Sequence, residues 1–128
     1  MRKESIFLVL AAIGLVPIAL SYGLVPAESM AYLFDIDASS INTSHILRAV
    51  MGLYLALIVF WLLGARNDDL RLPALWSLTV FMLGLAAGRA ISMLVDGMPH
   101  PLLATYLVLE LGFGTVGYIM AKGYKDES

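Results

Sequence analysis

Residues 88–101, GRAISMLVDGMPHP, place charged side chains within one of the most apolar regions of this chain. The fold that we predict depends on where these charges can lie. Arg89 lies inside the apolar run, and Asp96 ends that run just before the turn residues Gly97 and Pro99. A charged side chain at the centre of a membrane-inserted helix costs about 2.5–3.5 kcal/mol, so it normally faces other helices and finds a partner. We therefore predict that Arg89 points into a helical bundle and not toward lipid.

The composition is typical of a membrane protein. Hydrophobic residues make up 60% of the 128 residues and charged residues 14%, whereas soluble chains are about half apolar and a quarter charged. A helix needs about 20 mainly apolar residues to span the hydrocarbon core of a bilayer. We predict a single all-α domain over residues 1–128, an integral membrane four-helix bundle whose first helix is retained and not cleaved as a signal peptide. The predicted spans are residues 5–24, 44–64, 73–95 and 101–121, with a long connection at 25–43.

The positive charges outside the spans predict the orientation. Lys and Arg are enriched in cytoplasmic connections of membrane proteins. The connections 25–43 and 96–100 contain neither residue type. All the positive residues outside the spans belong to the opposite set, namely Arg2, Lys3, Arg66, Arg71, Lys122 and Lys125. We therefore expect both termini to be cytoplasmic and the long acidic connection to lie outside.

Helical spacing predicts a polar cluster in the outer half of the bundle. On the third span Arg89, Ser92 and Asp96 share a face by their i, i+3, i+7 spacing. At 1.5 Å of rise per residue, Glu110 on the fourth span reaches a depth at which it can pair with Arg89. The predicted ligand or ion-pair cluster comprises His45, Arg48, Arg89, Ser92, Asp96, Tyr106 and Glu110. A purely structural ion pair and a ligand-facing one remain equal alternatives for Arg89 and Glu110, and Arg48 can instead reach lipid phosphates.

We assign small residues in the spans to helix packing and aromatic residues near the span ends to anchoring at the membrane interface. Small residues let helices approach closely in lipid, and we assign this role to Gly84, Gly88, Gly114 and Gly117. Aromatic residues near span ends, including Tyr22 and Trp61, are interpreted as anchors at the membrane interface.

Several function classes are excluded or not indicated. A net charge of −2 argues against nucleic-acid binding. With no cysteine and two isolated histidines, the sequence indicates no metal site, and it indicates no cofactor. The phosphate-binding glycine loop, H-E-x-x-H and the nucleophile elbow are absent.

The order of these motifs resembles a bacterial family of small four-span membrane proteins of unknown function. The residues that carry the resemblance are Arg48, Gly88-Arg89-x-x-Ser92, Asp96-Gly97-x-Pro99 and Glu110. More loosely, the chain is similar to the DoxX-like group of four-helix membrane proteins, which includes a quinone-linked oxidoreductase subunit. The resemblance implies a multi-pass protein of the bacterial inner membrane and implies no reaction.

From these observations we expect a non-catalytic protein that binds an amphipathic ligand or a partner at the outer-half cluster. The expected partners are membrane lipids, a lipid-soluble ligand, a membrane protein or a second copy of the chain. One alternative is a membrane enzyme or oxidoreductase subunit acting on a lipid-soluble substrate such as a quinone, with Glu110 as the candidate catalytic residue. Another is an accessory or assembly subunit of a larger membrane complex.

Overall fold

The computed structural model describes residues 2–125, which form five α-helices. They are α1 (Lys3–Gly23), α2 (Pro26–Phe34), α3 (Ile41–Arg66), α4 (Asp68–Asp96) and α5 (Pro101–Lys122). The prediction of an all-α protein is confirmed. Of these helices, α1, α3, α4 and α5 are long and apolar enough to cross a membrane.

The connection between α1 and α3 contains a helix of its own. Pro26 opens α2 in its first turn, where a proline lacks only an N–H that would be unpaired anyway. Asp35, in the left-handed region with a φ of 57°, ends the helix. Met30 and Phe34 are buried in one cluster with Tyr106 of α5. The segment therefore covers one end of the bundle, which we call the α2 end.

A capped turn starts α3 at Ser40. The Ser40 side chain accepts a hydrogen bond from the Thr43 amide at 3.1 Å, which satisfies one of the unpaired N–H groups of the first turn. Just before it, the hydroxyl and the amide of Ser39 donate to Asp37 at 2.6 and 3.1 Å. These two hydrogen bonds stabilise the carboxylate and lower the pKa of Asp37.

The turn between α3 and α4 is much tighter than the sequence suggested. Asn67 alone separates the helices, and its side chain caps α4 by accepting from the Asp69 amide at 2.8 Å. Arg71, expected in a loop, is a helical residue with 4% exposure that donates to the Gly64 and Ala65 carbonyls at 3.2 and 3.0 Å. Helix α4 therefore begins at Asp68, five residues before the predicted span at 73–95, and a cap and a buried arginine stabilise these extra helical residues.

The four long helices pack in the order α1, α3, α4, α5. Close contacts join α1 to α3, α3 to α4 and α4 to α5, whereas α1 and α5 do not form a close pair. Trp61, interpreted above as an interface anchor, is instead fully buried in the core, and its indole N–H donates to the Ser77 hydroxyl at 3.1 Å. The bundle is therefore well packed on three sides and less closed on the fourth.

The four glycines assigned to helix packing fall into two pairs. A Cβ at Gly114 would lie 2.6 Å from Leu83 of α4, and one at Gly117 would lie 2.9 Å from the Thr79 hydroxyl. At Gly84 and Gly88 an added Cβ would meet nothing within 4 Å. Gly84 lies two residues from Met82 and two residues from Ala86, which are both buried. Two residues correspond to a rotation of about 200° in a helix of 3.6 residues per turn, so Gly84 faces away from the buried side. Within one copy of the chain, Gly84 and Gly88 therefore contribute nothing to helix packing.

We predict that Gly114→Val lowers the stability of the protein, because the new side chain overlaps Leu83 at the contact between α4 and α5. Forcing extra carbon atoms into a packed contact costs about 1–3 kcal/mol. Thermal unfolding in a mild detergent measures the effect, with Gly84→Val as the control at an open helical glycine. Equal melting temperatures for the two variants would contradict this account of the α4–α5 contact.

Candidate functional site

The open side of the bundle forms a cleft between α1 and α5, and the empty space there, including the part open to the outside, is about 530 Å³. Its walls are largely apolar. Leu15 and Ile18 of α1, Met82 and Leu85 of α4, and Leu109 and Phe113 of α5 supply most of the surface, together with Ala11 and Gly14. Gly14 and Leu109 are exposed and stand on the two edges of the cleft. We call the gap between these two residues the mouth.

Aromatic contacts bound the cleft at both ends. Toward the turn between α3 and α4, the Phe7 and Phe113 rings stack with centroids 5.5 Å apart and join α1 to α5. At the α2 end, Phe34 packs edge-on against Tyr106 with centroids 6.4 Å apart. The opening between α1 and α5 therefore covers only part of the length of the bundle, and α2 bounds it at the α2 end.

An ion pair forms the polar part of the cleft. Nε of Arg89 on α4 donates to both carboxylate oxygens of Glu110 on α5, at 2.7 and 3.2 Å. Glu110 is 6% exposed, and the side chain of Arg89 is 20% exposed. Burying an ionised group is expensive unless it is paired and hydrogen-bonded. The structure brings together the pair that helical depth predicted, Arg89 and Glu110. This pair also links α4 to α5.

Tyrosine side chains surround the guanidinium. The Arg89 guanidinium carbon lies 5.4 Å from the centroid of the Tyr106 ring, a cation–π distance. Tyr54 of α3 lines the cleft beside the pair, and Tyr22 of α1 packs edge-on against Tyr54 with centroids 5.7 Å apart. Tyr22 also lies next to Arg89, although without a hydrogen bond of good geometry. All four long helices therefore contribute to the surroundings of one arginine.

Several hydrogen-bond donors of the cleft have no partner within the described chain. Within residues 2–125, nothing accepts a hydrogen bond from the terminal guanidinium nitrogens of Arg89, and the Tyr54 and Tyr106 hydroxyls have no partner. No buried polar side-chain atom in the same range lacks a partner, so these groups must reach open space. Both Glu110 oxygens, in contrast, already accept from Arg89. The site is therefore suited to hold a molecule that brings a hydrogen-bond acceptor.

The rest of the predicted cluster lies elsewhere. Arg48 is exposed on α3 and donates through Nε to the Gly23 carbonyl at 3.3 Å. With His45 it lines a separate shallow depression. Ser92 and Asp96 are exposed near the end of α4 and do not line the cleft. Of the seven cluster residues, the structure brings together Arg89, Tyr106 and Glu110.

Sequence reasoning missed the contributions of Tyr54 and of α1. The first predicted span, residues 5–24, holds no Asp, Glu, Lys, Arg or His, so the search for charges in spans passed over it. Tyr54 carries a usable signal, because tyrosines of membrane proteins concentrate at the interfaces and a buried hydroxyl usually needs a polar partner. A tyrosine in the middle of a predicted span therefore indicates a polar interior at that depth.

The charged residues of the described chain form no metal site. No group of three or more His, Cys, Asp or Glu residues within residues 2–125 could hold a metal ion.

One family model matches most of the chain. The model of a domain of unknown function, DUF4345, matches residues 4–121. The chain belongs to the DUF4345 family. The matched region of this DUF4345 protein includes every residue that lines the cleft. Neither the curated proteins nor the solved structures contain a match to the chain.

We predict that Arg89→Ala destabilises this DUF4345 protein more than the double variant Arg89→Gln/Glu110→Gln does. Removing one partner of a buried ion pair costs about 3–5 kcal/mol because the other charge is left alone. Replacing both partners with neutral side chains of similar size avoids that cost. Thermal unfolding in detergent compares the two variants with the unmodified chain, and an equal or larger loss for the double variant would show that Glu110 does not depend on Arg89.

Proposed function

We propose that this chain is a small multi-pass protein of the bacterial inner membrane that binds an amphipathic, lipid-soluble ligand in the cleft between α1 and α5. One observation supports the proposal. The apolar cleft opens between α1 and α5, and its polar part holds hydrogen-bond donors without a partner around the Arg89–Glu110 ion pair. Binding sites for small molecules are typically apolar and contain a few convergent polar groups that fix orientation.

Membrane insertion is supported by the four long apolar helices and by the distribution of charge. Arg2 donates to the Tyr124 hydroxyl at 3.3 Å and to the Lys125 carbonyl at 2.7 Å, so the described chain ends lie together. The positive residues outside the spans belong to this end and to the turn between α3 and α4, opposite the α2 end. Because positive residues favour the cytoplasm, we place both termini there and α2 outside.

The position of the mouth suggests the route by which a ligand enters. In a bilayer, an opening between two spanning helices faces the lipid tails, whereas the aromatic contacts at both ends of the cleft close it toward water. A ligand that is dissolved in the membrane can then place its polar head beside Arg89 and keep its chain among apolar side chains. Such a ligand never has to cross the aqueous phase.

A binding role is better supported than a catalytic one. In the alternative of an enzyme that acts on a lipid-soluble substrate, Glu110 serves as the acid or base. The Arg89 Nε–H is shared between both carboxylate oxygens of Glu110, which holds the carboxylate in one orientation toward Arg89. The geometry therefore favours Glu110 as an orienting partner for Arg89.

Native mass spectrometry of the protein released from mild detergent tests the proposal. We expect a bound lipid-soluble molecule on the unmodified chain and its loss from Arg89→Gln/Glu110→Gln, because that variant removes the ion pair and preserves side-chain volume. Arg48→Gln is the matched control, since Arg48 is outside the cleft and should leave the bound mass in place. An unmodified chain that carries no molecule, or equal retention by all three proteins, would contradict the proposal.

The mouth is tested separately by filling it. Gly14→Leu should reduce the bound fraction and slow ligand exchange, because the added side chain extends from an edge of the cleft where a Cβ has open space. Gly84→Leu is the control, as it adds the same side chain at an equally open helical glycine outside the cleft. Exchange of a labelled lipid analogue in nanodiscs gives the rate, and identical rates for the two variants would rule out entry between α1 and α5.

A further inference from the structure

We propose that the cleft selects uncharged molecules that carry a carbonyl oxygen on an apolar chain, and that Glu110 is the residue that excludes anionic lipids from it. This inference rests on the proposed function, since it names the class of ligand that the same cleft binds. It follows from the balance of charge and of hydrogen-bonding groups around Arg89.

The cleft is electrically neutral as built. Arg89 and Glu110 are the charged residues in its lining, and they are paired with each other. The other titratable residues that pack around them are tyrosines, namely Tyr22, Tyr54 and Tyr106. Arg48, His45 and Asp96 are exposed and do not line the cleft. Glu110 therefore already neutralises the positive charge that Arg89 would otherwise offer to an anion.

An anionic head group would upset this balance. If it bound beside the intact pair, the cleft would hold a net negative charge among apolar side chains, and burying an unpaired charge is far more costly than burying a hydrogen-bonded neutral group. If it displaced Glu110 from Arg89, it would leave that carboxylate buried without a partner. Either arrangement is unfavourable because Glu110 is present.

A cationic head group is equally poorly matched. If it bound beside the intact pair, the cleft would hold a net positive charge among apolar side chains, and if it displaced Arg89 from Glu110, it would leave that guanidinium without its partner. A neutral carbonyl oxygen, in contrast, accepts hydrogen bonds and carries no charge. It can satisfy the terminal nitrogens of Arg89 and the Tyr54 or Tyr106 hydroxyl while the ion pair stays intact.

The donor groups also explain why a carbonyl is favoured over a simple alkyl chain. Donors that open into the cleft are left without a partner when a hydrocarbon chain fills it, and an unsatisfied buried polar group is costly. A carbonyl oxygen supplies that partner. Two kinds of membrane molecule share this chemistry, the acyl esters of lipids and the ring carbonyls of quinones, and the experiment below separates them.

The test measures binding of matched probes to the full chain in nanodiscs of a zwitterionic lipid. Methyl palmitate and palmitate have the same acyl chain and differ in head-group charge when the fatty acid is ionised at alkaline pH, and decylubiquinone supplies a quinone ring. We expect the unmodified chain to bind a neutral probe at least about tenfold more tightly than palmitate, which corresponds to about 1.4 kcal/mol. Tighter binding of methyl palmitate identifies the ligand class as acyl lipids, and tighter binding of decylubiquinone identifies it as quinones.

Glu110→Gln is the decisive variant, because it leaves Arg89 unpaired without changing the shape of the cleft. The variant should bind palmitate more tightly than the ester, which reverses the selectivity, whereas Arg48→Gln should keep the selectivity of the unmodified chain. If Glu110→Gln is not recovered folded, the double variant Arg89→Gln/Glu110→Gln supplies the second measurement. With no charge left in the cleft, it should bind palmitate no better than the unmodified chain.

The outcomes separate this inference from the proposed function. Binding of palmitate to the unmodified chain as tightly as the ester, or co-purification of an anionic lipid lost from Arg89→Gln/Glu110→Gln, overturns the selection of neutral ligands and leaves the binding cleft standing. Unchanged selectivity in Glu110→Gln also overturns it. Failure of every probe to bind, together with the absence of any co-purifying molecule, overturns both the inference and the proposed function.

Discussion

The ion pair between Arg89 and Glu110 is the interaction on which the rest of the site depends. It lies in a chain that offers few other polar groups at that depth, so each of the two charges has to be matched by the other. The pairing sets the rotation of α4 and α5 about their axes, and that rotation turns Gly114 and Gly117 toward α4. The same contact that satisfies a buried charge thus also determines which faces of the two helices meet.

Arg71, which is buried, and Arg89, which is partly exposed, are used in different ways. Arg71 is enclosed near the turn between α3 and α4, where it donates to the Gly64 and Ala65 carbonyls and pairs with Asp68. Its donors are consumed by the end of α3, which favours positive charge because of the helix dipole. Arg89 keeps terminal nitrogens open to a cleft. An arginine in an apolar span is therefore informative about function only after its hydrogen bonds have been counted.

The cleft exists because one pair of neighbouring helices is not closely packed. Three successive contacts, between α1 and α3, α3 and α4, and α4 and α5, hold the bundle together. The remaining gap is bridged by Phe7 and Phe113 at one end and bounded by α2 at the other. In water an apolar gap of this kind would be unfavourable, whereas in a bilayer lipid tails can occupy its apolar part at little cost because they are as apolar as its walls.

The sequence by itself determined the helical class, the four long apolar segments and the Arg89–Glu110 partnership, because these follow from composition, spacing and the cost of an isolated charge. Only the tertiary structure decided which other residues share the site. It placed Arg48, Ser92 and Asp96 outside the cleft, left Gly84 and Gly88 without a contact in the chain, and brought Tyr54 and α1 to the ion pair. Helical spacing defines the residues on one face, but the direction in which that face points is set by packing between segments that are distant in the chain.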